Sequence, residues 1–219
     1  MTTIRERVRV LFSELPDDVR LVAAAKGRTP LEVQEAVDAG VSTIGENYIK
    51  DARAARELIG SRATWHFIGR LRPHDVRVSS LNLFDMVESV SSLELAKRMD
   101  EKLMTLGRNM PVLVEVNSGR EPQKAGVWPE QAEALVRQIA TLSSLKVVGL
   151  MTMGPLMVGR EFYRPCFAET HQLFLTLKKM EIPRVSMDIL SMGTSDSYEV
   201  AIEEGSNMVR LGTTLFGPR

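Results

Sequence analysis

The sequence predicts an α/β fold, a single (β/α)8 TIM barrel over residues 1–219. Three observations carry this. Short apolar runs alternate with amphipathic stretches along the chain and no hairpin strands run together, which is the pattern of βαβ units and a parallel sheet. About eight such runs occur, spaced roughly 20 to 30 residues apart, as a closed barrel requires. No Gly-x-Gly-x-x-Gly follows the first strand, so an open dinucleotide-binding sheet loses its main support.

Taken in order, Ile4, Val8, Leu11 and Phe12 are spaced for one helical face, and the first dozen residues read as a helix. The first strand, Leu21-Val22-Ala23-Ala24-Ala25, is rich in small residues that suit close packing on both faces. It ends on Lys26 and turns through Gly27. A helix restarts with Thr29 as N-cap and Pro30 at the first helical position. Leu31, Val33, Ala36 and Val37 give that helix its apolar face, and Gly40 stops it. The second strand spans 41–47 and its helix 48–58; the third and fourth strands span 64–69 and 83–90. A helix over 92–106, capped by Ser91 or Ser92, ends at Gly107. The fifth strand covers 111–117, followed by a helix over 129–142 with Pro129 near its start. The sixth strand spans 146–153, before a helix over 162–180. The seventh spans 187–193, a short helix 198–204, and the eighth strand 207–212.

Composition excludes several classes. Lysine plus arginine (28) equals aspartate plus glutamate (28), so no global field attracts nucleic acid or an anionic membrane. A local basic patch stays open, because Arg28, Arg70 and Arg72 could share a mouth. The single cysteine, Cys166, rules out an internal disulfide and a cysteine-based zinc site. At an expected helix start it reads as a small hydrophobe. His66, His74 and His171 lack metal-site spacing, and the last two read as surface residues. The charged, amphipathic beginning Thr2-Thr3-Ile4-Arg5-Glu6-Arg7-Val8 is neither signal peptide nor membrane span, so a cytoplasmic protein is expected. With no exposed apolar stripe on the helices, a monomer is expected.

In a barrel the C-terminal strand ends share one mouth, where active sites sit. Read in order, those ends carry Lys26, Asn47, His66, Asn117, Met151, Ser191 through Ser195, and Arg210-Leu211-Gly212-Thr213. A lysine emerging from a tight interior is desolvated and becomes a better nucleophile towards carbonyls; a lysine that snorkels to water fits the same residues. Gly212 and Thr213, with Ser191, Gly193 and Ser195, lie after strands seven and eight, where barrels often bind phosphate. Ordinary turns, with Ser195 as an N-cap, are the plainer reading of either loop alone; both loops together favour phosphate. A phosphate beside a strand-end lysine suggests a sugar-phosphate aldolase or pyridoxal 5′-phosphate. Arg210 separates them, since a guanidinium donates but cannot accept and suits an unprotonated pyridine nitrogen. Interior carboxylates, which an aldolase would want, are few; Glu46 is one candidate.

At these residues the chain resembles the pyridoxal phosphate homeostasis proteins (the YggS/PROSC type). The similarity runs end to end. It rests on the lysine after the first strand, Gly45-Glu46-Asn47-Tyr48, Trp65-His66-Phe67-Ile68-Gly69, and Val116-Asn117 with Glu121, Lys124 and Gly126. Gly149-Leu150-Met151, Leu190-Ser191-Met192-Gly193 with Ser195 and Asp196, and Val209-Arg210-Leu211-Gly212 with Phe216-Gly217 complete it. The resemblance implies a barrel similar to the alanine racemase N-terminal domain, with pyridoxal 5′-phosphate bound to Lys26 as an aldimine. Arg210 would stand opposite the ring nitrogen, and Asn47 and His66 would line the ring pocket, with Met151 packing on the ring. The phosphate would lie among Ser195, Gly212 and Thr213, with Ser191 as a further contact. The implied role is cofactor homeostasis, as a carrier or regulator with cofactor-dependent apo-enzymes as recipients; the alternative is a weak amino-acid racemase. Ala25 stands where the family usually has serine, Gly27 where threonine is common, Thr194 where methionine is common, and Arg72-Pro73-His74-Asp75 replaces a Gln-x-Asn-Lys run.

Overall fold

Among the residues that the computed structural model describes, 2–157 and 159–218, eight parallel strands close on themselves. Met1, Val158 and Arg219 of the expected 1–219 span lie outside them. The strands are β1 (Arg20–Ala24), β2 (Thr43–Glu46), β3 (Thr64–Phe67), β4 (Met86–Val90), β5 (Met110–Val116), β6 (Leu145–Thr152), β7 (Val185–Ser191) and β8 (Met208–Leu211). Each pairs with its neighbours in chain order, and β1 also pairs with β8, with Val22 beside Arg210 and Ala23 beside Leu211. The helices are α1 (Ile4–Glu14), α2 (Pro30–Asp38), α3 (Ile49–Ile59), α4 (Val78–Leu81), α5 (Leu93–Leu106), α6 (Pro129–Ala140), α7 (Arg160–Lys179), α8 (Tyr198–Glu203) and α9 (Thr213–Phe216).

Local chemistry sets these boundaries. α2 begins as expected: Thr29 Oγ1 accepts from the Glu32 N–H, Glu32 accepts from the Thr29 N–H, and Pro30 occupies the first turn. Ser92 caps α5, and Gly107 ends it at φ 60°. Two facial assignments need correction. Ile4, Val8 and Leu11 are buried on α1, but Phe12 is exposed, because it falls about 80° round the helix from Ile4. On α2, Leu31 is exposed for the same geometric reason, lying nearly opposite Val33. The segment between β3 and β4 contains a 3-10 turn (Pro73–Asp75) and α4, both too short to show a helical period. α7 starts at Arg160, so Cys166 lies within it, half-buried, with its thiol pushed up by burial and by the nearby Glu169 charge.

Alternation along the strands divides the apolar residues between two cores. Val22, Met86, Leu113, Val148, Ile189 and Met208 fill the lower barrel, with Met151 among them. Their outward-facing neighbours, such as Ala23, Ile44, Trp65 and Leu190, pack in the helix-covered core. Each large buried side chain contributes about 1.5–3 kcal/mol. Towards the mouth the inward positions turn polar: His66, Glu88, Ser191 and Arg210 are all buried.

Candidate functional site

The site is built on a buried polar layer. Glu88 projects inward from β4, two residues beyond Met86, and its oxygens accept from His66 Nδ1 (2.7 Å) on β3 and Ser191 Oγ (2.7 Å) on β7. An ionised carboxylate can only accept, so His66 donates from Nδ1. From β8, Arg210 Nη1 donates to Ser191 Oγ (2.5 Å) and Nη2 to the Thr152 carbonyl (2.8 Å), while Arg210 approaches Glu88 at 3.9 Å. Burial pushes the Glu88 carboxyl up, but the His66 hydrogen bond and the His66 and Arg210 charges outweigh it and hold the group below its ordinary range. The guanidinium is thus fixed on its lower side. Nε and one Nη1 hydrogen have no partner among the described residues and are available to donate.

Lys26 lies above this layer. β1 ends at Ala24, and Ala25 makes one further bond, its N–H to the Gly45 carbonyl (2.9 Å). Lys26 therefore stands past the sheet. Its side chain is exposed, with Nζ 5.8 Å from the centre of the Tyr48 ring. A lysine desolvated by the barrel walls is the expectation that fails here; the early strand end is the reason. Asn47 sits at the corresponding end of β2, half-buried, against the loop after β3. A Cβ placed on Gly69 would stand 2.3 Å from the Asn47 carbonyl oxygen, so that loop needs a bare backbone.

The turn after β8 supplies another type of group. Ser195 Oγ accepts from the Gly212 and Thr214 N–H groups, both at 3.2 Å. Ser195 is therefore not a helix cap; Ser197 occupies the N-cap position of α8. With both lone pairs engaged, the Ser195 hydroxyl has only its proton left to offer, which suits an anionic oxygen. Gly193 and Gly212 are glycines for different reasons. Gly193 has φ 93° and a Cβ there would lie 2.7 Å from Tyr198 Cα, so its own fold requires it. A Cβ on Gly212 would meet the Ala24 carbonyl oxygen at 3.4 Å and the Ala24 Cβ at 3.8 Å, both ordinary contacts. Neither packing nor φ demands glycine there, and the bare turn leaves room for a ligand. Thr213 is exposed at the start of α9.

Not every strand-end residue reaches this place. Ser191 is fully buried, its hydroxyl engaged by Glu88 and Arg210, so it belongs to the layer under the mouth and not among the phosphate-type loops. Met151 lies in the barrel floor, 1 % exposed, because β6 runs on to Thr152; Met153, with its sulfur 3.2 Å from Arg210 Nη2, is the methionine at the mouth. Asn117 spends its amide on both backbone groups of Glu121, fixing the loop after β5. Glu46 is fully buried on the outward side of β2, in the helix-facing layer, and neither carboxyl oxygen has a hydrogen-bond partner. Burial and the Asp51 charge push it up to about 8, tempered by the nearby Asn47 N–H without a well-aligned bond. Sequence reasoning missed two inward carboxylates. Glu88 interrupts an apolar strand, and Glu115, pushed up to about 7 by burial against the pull of Arg210 and Arg70, interrupts another. That interruption was the available signal. Among the described residues no group of three His, Cys, Asp or Glu side chains could hold a metal ion, and no helix is long and apolar enough to cross a membrane.

This set fits a group that carries an aldehyde, a hydrogen-bond acceptor and an anion: an accessible amine, a fixed donor and a serine-tied turn stand on one rim. β1 and β8 are paired neighbours, and Gly212 approaches Ala24, two residues before Lys26. Comparison with known proteins follows the same line. The family description "Alanine racemase, N-terminal domain" matches residues 1–219. The pyridoxal phosphate homeostasis protein of Pseudomonas aeruginosa is 35% identical over 230 residues, covering 100% of this chain and 97% of its own. PipY of Synechococcus elongatus, in a structure with PLP bound, is 31% identical with a TM-score of 0.90, covering 98% of this chain and 100% of that one. An alanine racemase of Clostridium difficile, at 19% identity, TM-score 0.85, and coverage of 99% of this chain and 57% of that one, shares the fold. With matches of this identity running the length of both partners, the chain belongs to the alanine racemase N-terminal domain family, in its pyridoxal phosphate homeostasis branch.

Proposed function

We propose that this protein is a pyridoxal 5′-phosphate-binding carrier or regulator that holds the cofactor on Lys26. One observation carries the reading: Lys26, Arg210 and the Ser195–Gly212 turn stand on adjacent strands of one rim. The relatives named for pyridoxal phosphate homeostasis, and the PLP-bound PipY, support it. When bound, this cofactor supplies an aldehyde open to reversible capture by an amine, a pyridine ring and a phosphate.

The chain's own residues take distinct parts. Lys26 contributes the amine that tethers. Ser195 donates its proton to a phosphate oxygen, beside the Gly212 and Thr213 backbone. Asn47 borders the ring pocket, and Arg210 donates towards the ring nitrogen. Glu88 supplies a countercharge that opposes the effect of burial on Arg210, Ser191 orients the guanidinium from below, and His66 holds Glu88. A guanidinium cannot give up a proton at this site, so it leaves the ring nitrogen as an acceptor and a poor electron sink for carbanion chemistry. Holding is favoured over turnover.

The proposal extends to a single-domain, monomeric, cytoplasmic protein that passes cofactor to apo-enzymes. Incubation with pyridoxal 5′-phosphate is expected to give a near-visible absorbance band that borohydride removes. Racemisation of alanine and other amino acids should stay at background. Turnover at ordinary enzyme rates, on the order of 1–1000 per second, would overturn the carrier reading.

A further inference from the structure

The mouth extends well beyond the proposed tether. A cavity of about 770 Å³ starts at Lys26 and Asn47, which it shares with the proposed cofactor site, and extends along the β2–β3 side, with no residue of the β8 turn in its lining. Its size lies within the range of small-molecule sites. Four cations line it, Lys26, Lys50, Arg70 and Arg72, against one carboxylate, Asp75. Asp75 is engaged by Arg72 Nε at 2.9 Å, which leaves both terminal nitrogens of Arg72 to other acceptors. Among the described residues, Lys26, Lys50 and Arg70 have no ion-pair partner. The Arg70 charge is felt by Glu115, which projects inward from β5. A cluster of cations that outnumbers the one carboxylate lining a concave wall is an electrostatic trap for an anion.

We infer that this cavity is a second anion subsite, taking a small phosphomonoester with an apolar or aromatic body. The charge count selects that class. Four cations less Asp75 leave three positive charges, and two once the Lys26 amine is committed to the proposed tether. A phosphomonoester carries about −1.5 to −2 near pH 7, whereas a single carboxylate would leave the site half-neutralised. Arginine forks match phosphate oxygens in pairs. Phe67, Leu71 and the exposed Tyr48 ring supply the wall for an organic body. One of the cations, Arg72, arises where the sequence departs from the family resemblance. The inference relies on the proposed function in committing Lys26 to the tether and in placing a first phosphate at the β8 turn.

The test first fixes pyridoxal 5′-phosphate on the full-length protein with borohydride, so that the first site is closed. Phenyl phosphate and inorganic phosphate are then titrated by calorimetry. One further equivalent of phenyl phosphate is expected, bound tighter than inorganic phosphate and weakened by added salt. In the doubly substituted Arg70→Ala, Arg72→Ala protein its affinity should fall at least tenfold, with the fixed cofactor content unchanged. Both arginines are exposed, so the variant keeps its core. Absence of a second equivalent, or undiminished affinity in the variant, overturns the subsite. Inorganic phosphate binding as tightly as phenyl phosphate removes the organic body from the inferred ligand. Should no cofactor be fixed, the tether fails separately, and the same titration on untreated protein, with Ser195→Ala as the control for the β8 turn, still decides the subsite.

Discussion

At the scale of single residues, the buried carboxylate Glu88 organises the site. It is the common acceptor for His66 and Ser191 and the nearest countercharge to Arg210. Removing one partner from such a buried set strands the others, at a cost of about 3–5 kcal/mol. Glu88→Gln is therefore expected to lose stability of that order in urea unfolding and to bind the cofactor more weakly, while Lys26 remains available. Unchanged stability would show that the network is not coupled. Lys26 and Arg210 were legible from sequence because a charged residue breaks an apolar strand at a countable place. The convergence of partners on Glu88 was not, since His66, Ser191 and Arg210 come from three other strands and meet it only when the barrel closes. Whether Lys26 is buried was also beyond the sequence: it depends on β1 ending at Ala24, one residue earlier than its apolar run.

At the scale of elements, caps and punctuation were the readable part. Thr29-Pro30 with Glu32, Ser92 and Gly107 each satisfy backbone groups locally, so they act wherever the helix lies. The 3-10 turn and α4 between β3 and β4 gave no such signal, because each is too short to show a helical period and both pack against α5. The loop after β3 is tied to β2 through one close approach. Gly69→Ala would set a Cβ against the Asn47 backbone, and overpacking of this kind costs roughly 1–3 kcal/mol. The variant should melt earlier and bind cofactor more weakly than its stability loss alone explains, since Asn47 is displaced. A protein with wild-type melting and affinity would mean that the loop relaxes freely.

At the scale of the whole molecule, the alternation of strands and helices made the barrel legible, but the division of its charges between mouth, interior and helix layer was not. That division sets the pH response. Glu46 and Glu115 are raised to about 8 and about 7, so the folded form favours their protonated states. Their contribution is fully present below the ordinary glutamate range and is lost as pH rises through 7 and 8. Glu88 is lowered, so its contribution is present above that range and lost as pH falls below it. Stability should therefore peak on the acid side of neutrality, and Glu46→Gln should gain on wild type by roughly 3 kcal/mol between pH 5 and pH 8. Chemical unfolding across that interval checks both; a wild-type maximum at pH 8 or above would contradict the assignment. For the molecule as a cofactor holder, the most direct measurement is the mass of the borohydride-fixed adduct, located by peptide mapping in wild type and Lys26→Ala. The account predicts one cofactor per chain, on the peptide containing Lys26, and none in the variant. An adduct on another lysine, or the same cofactor content in Lys26→Ala, would contradict it.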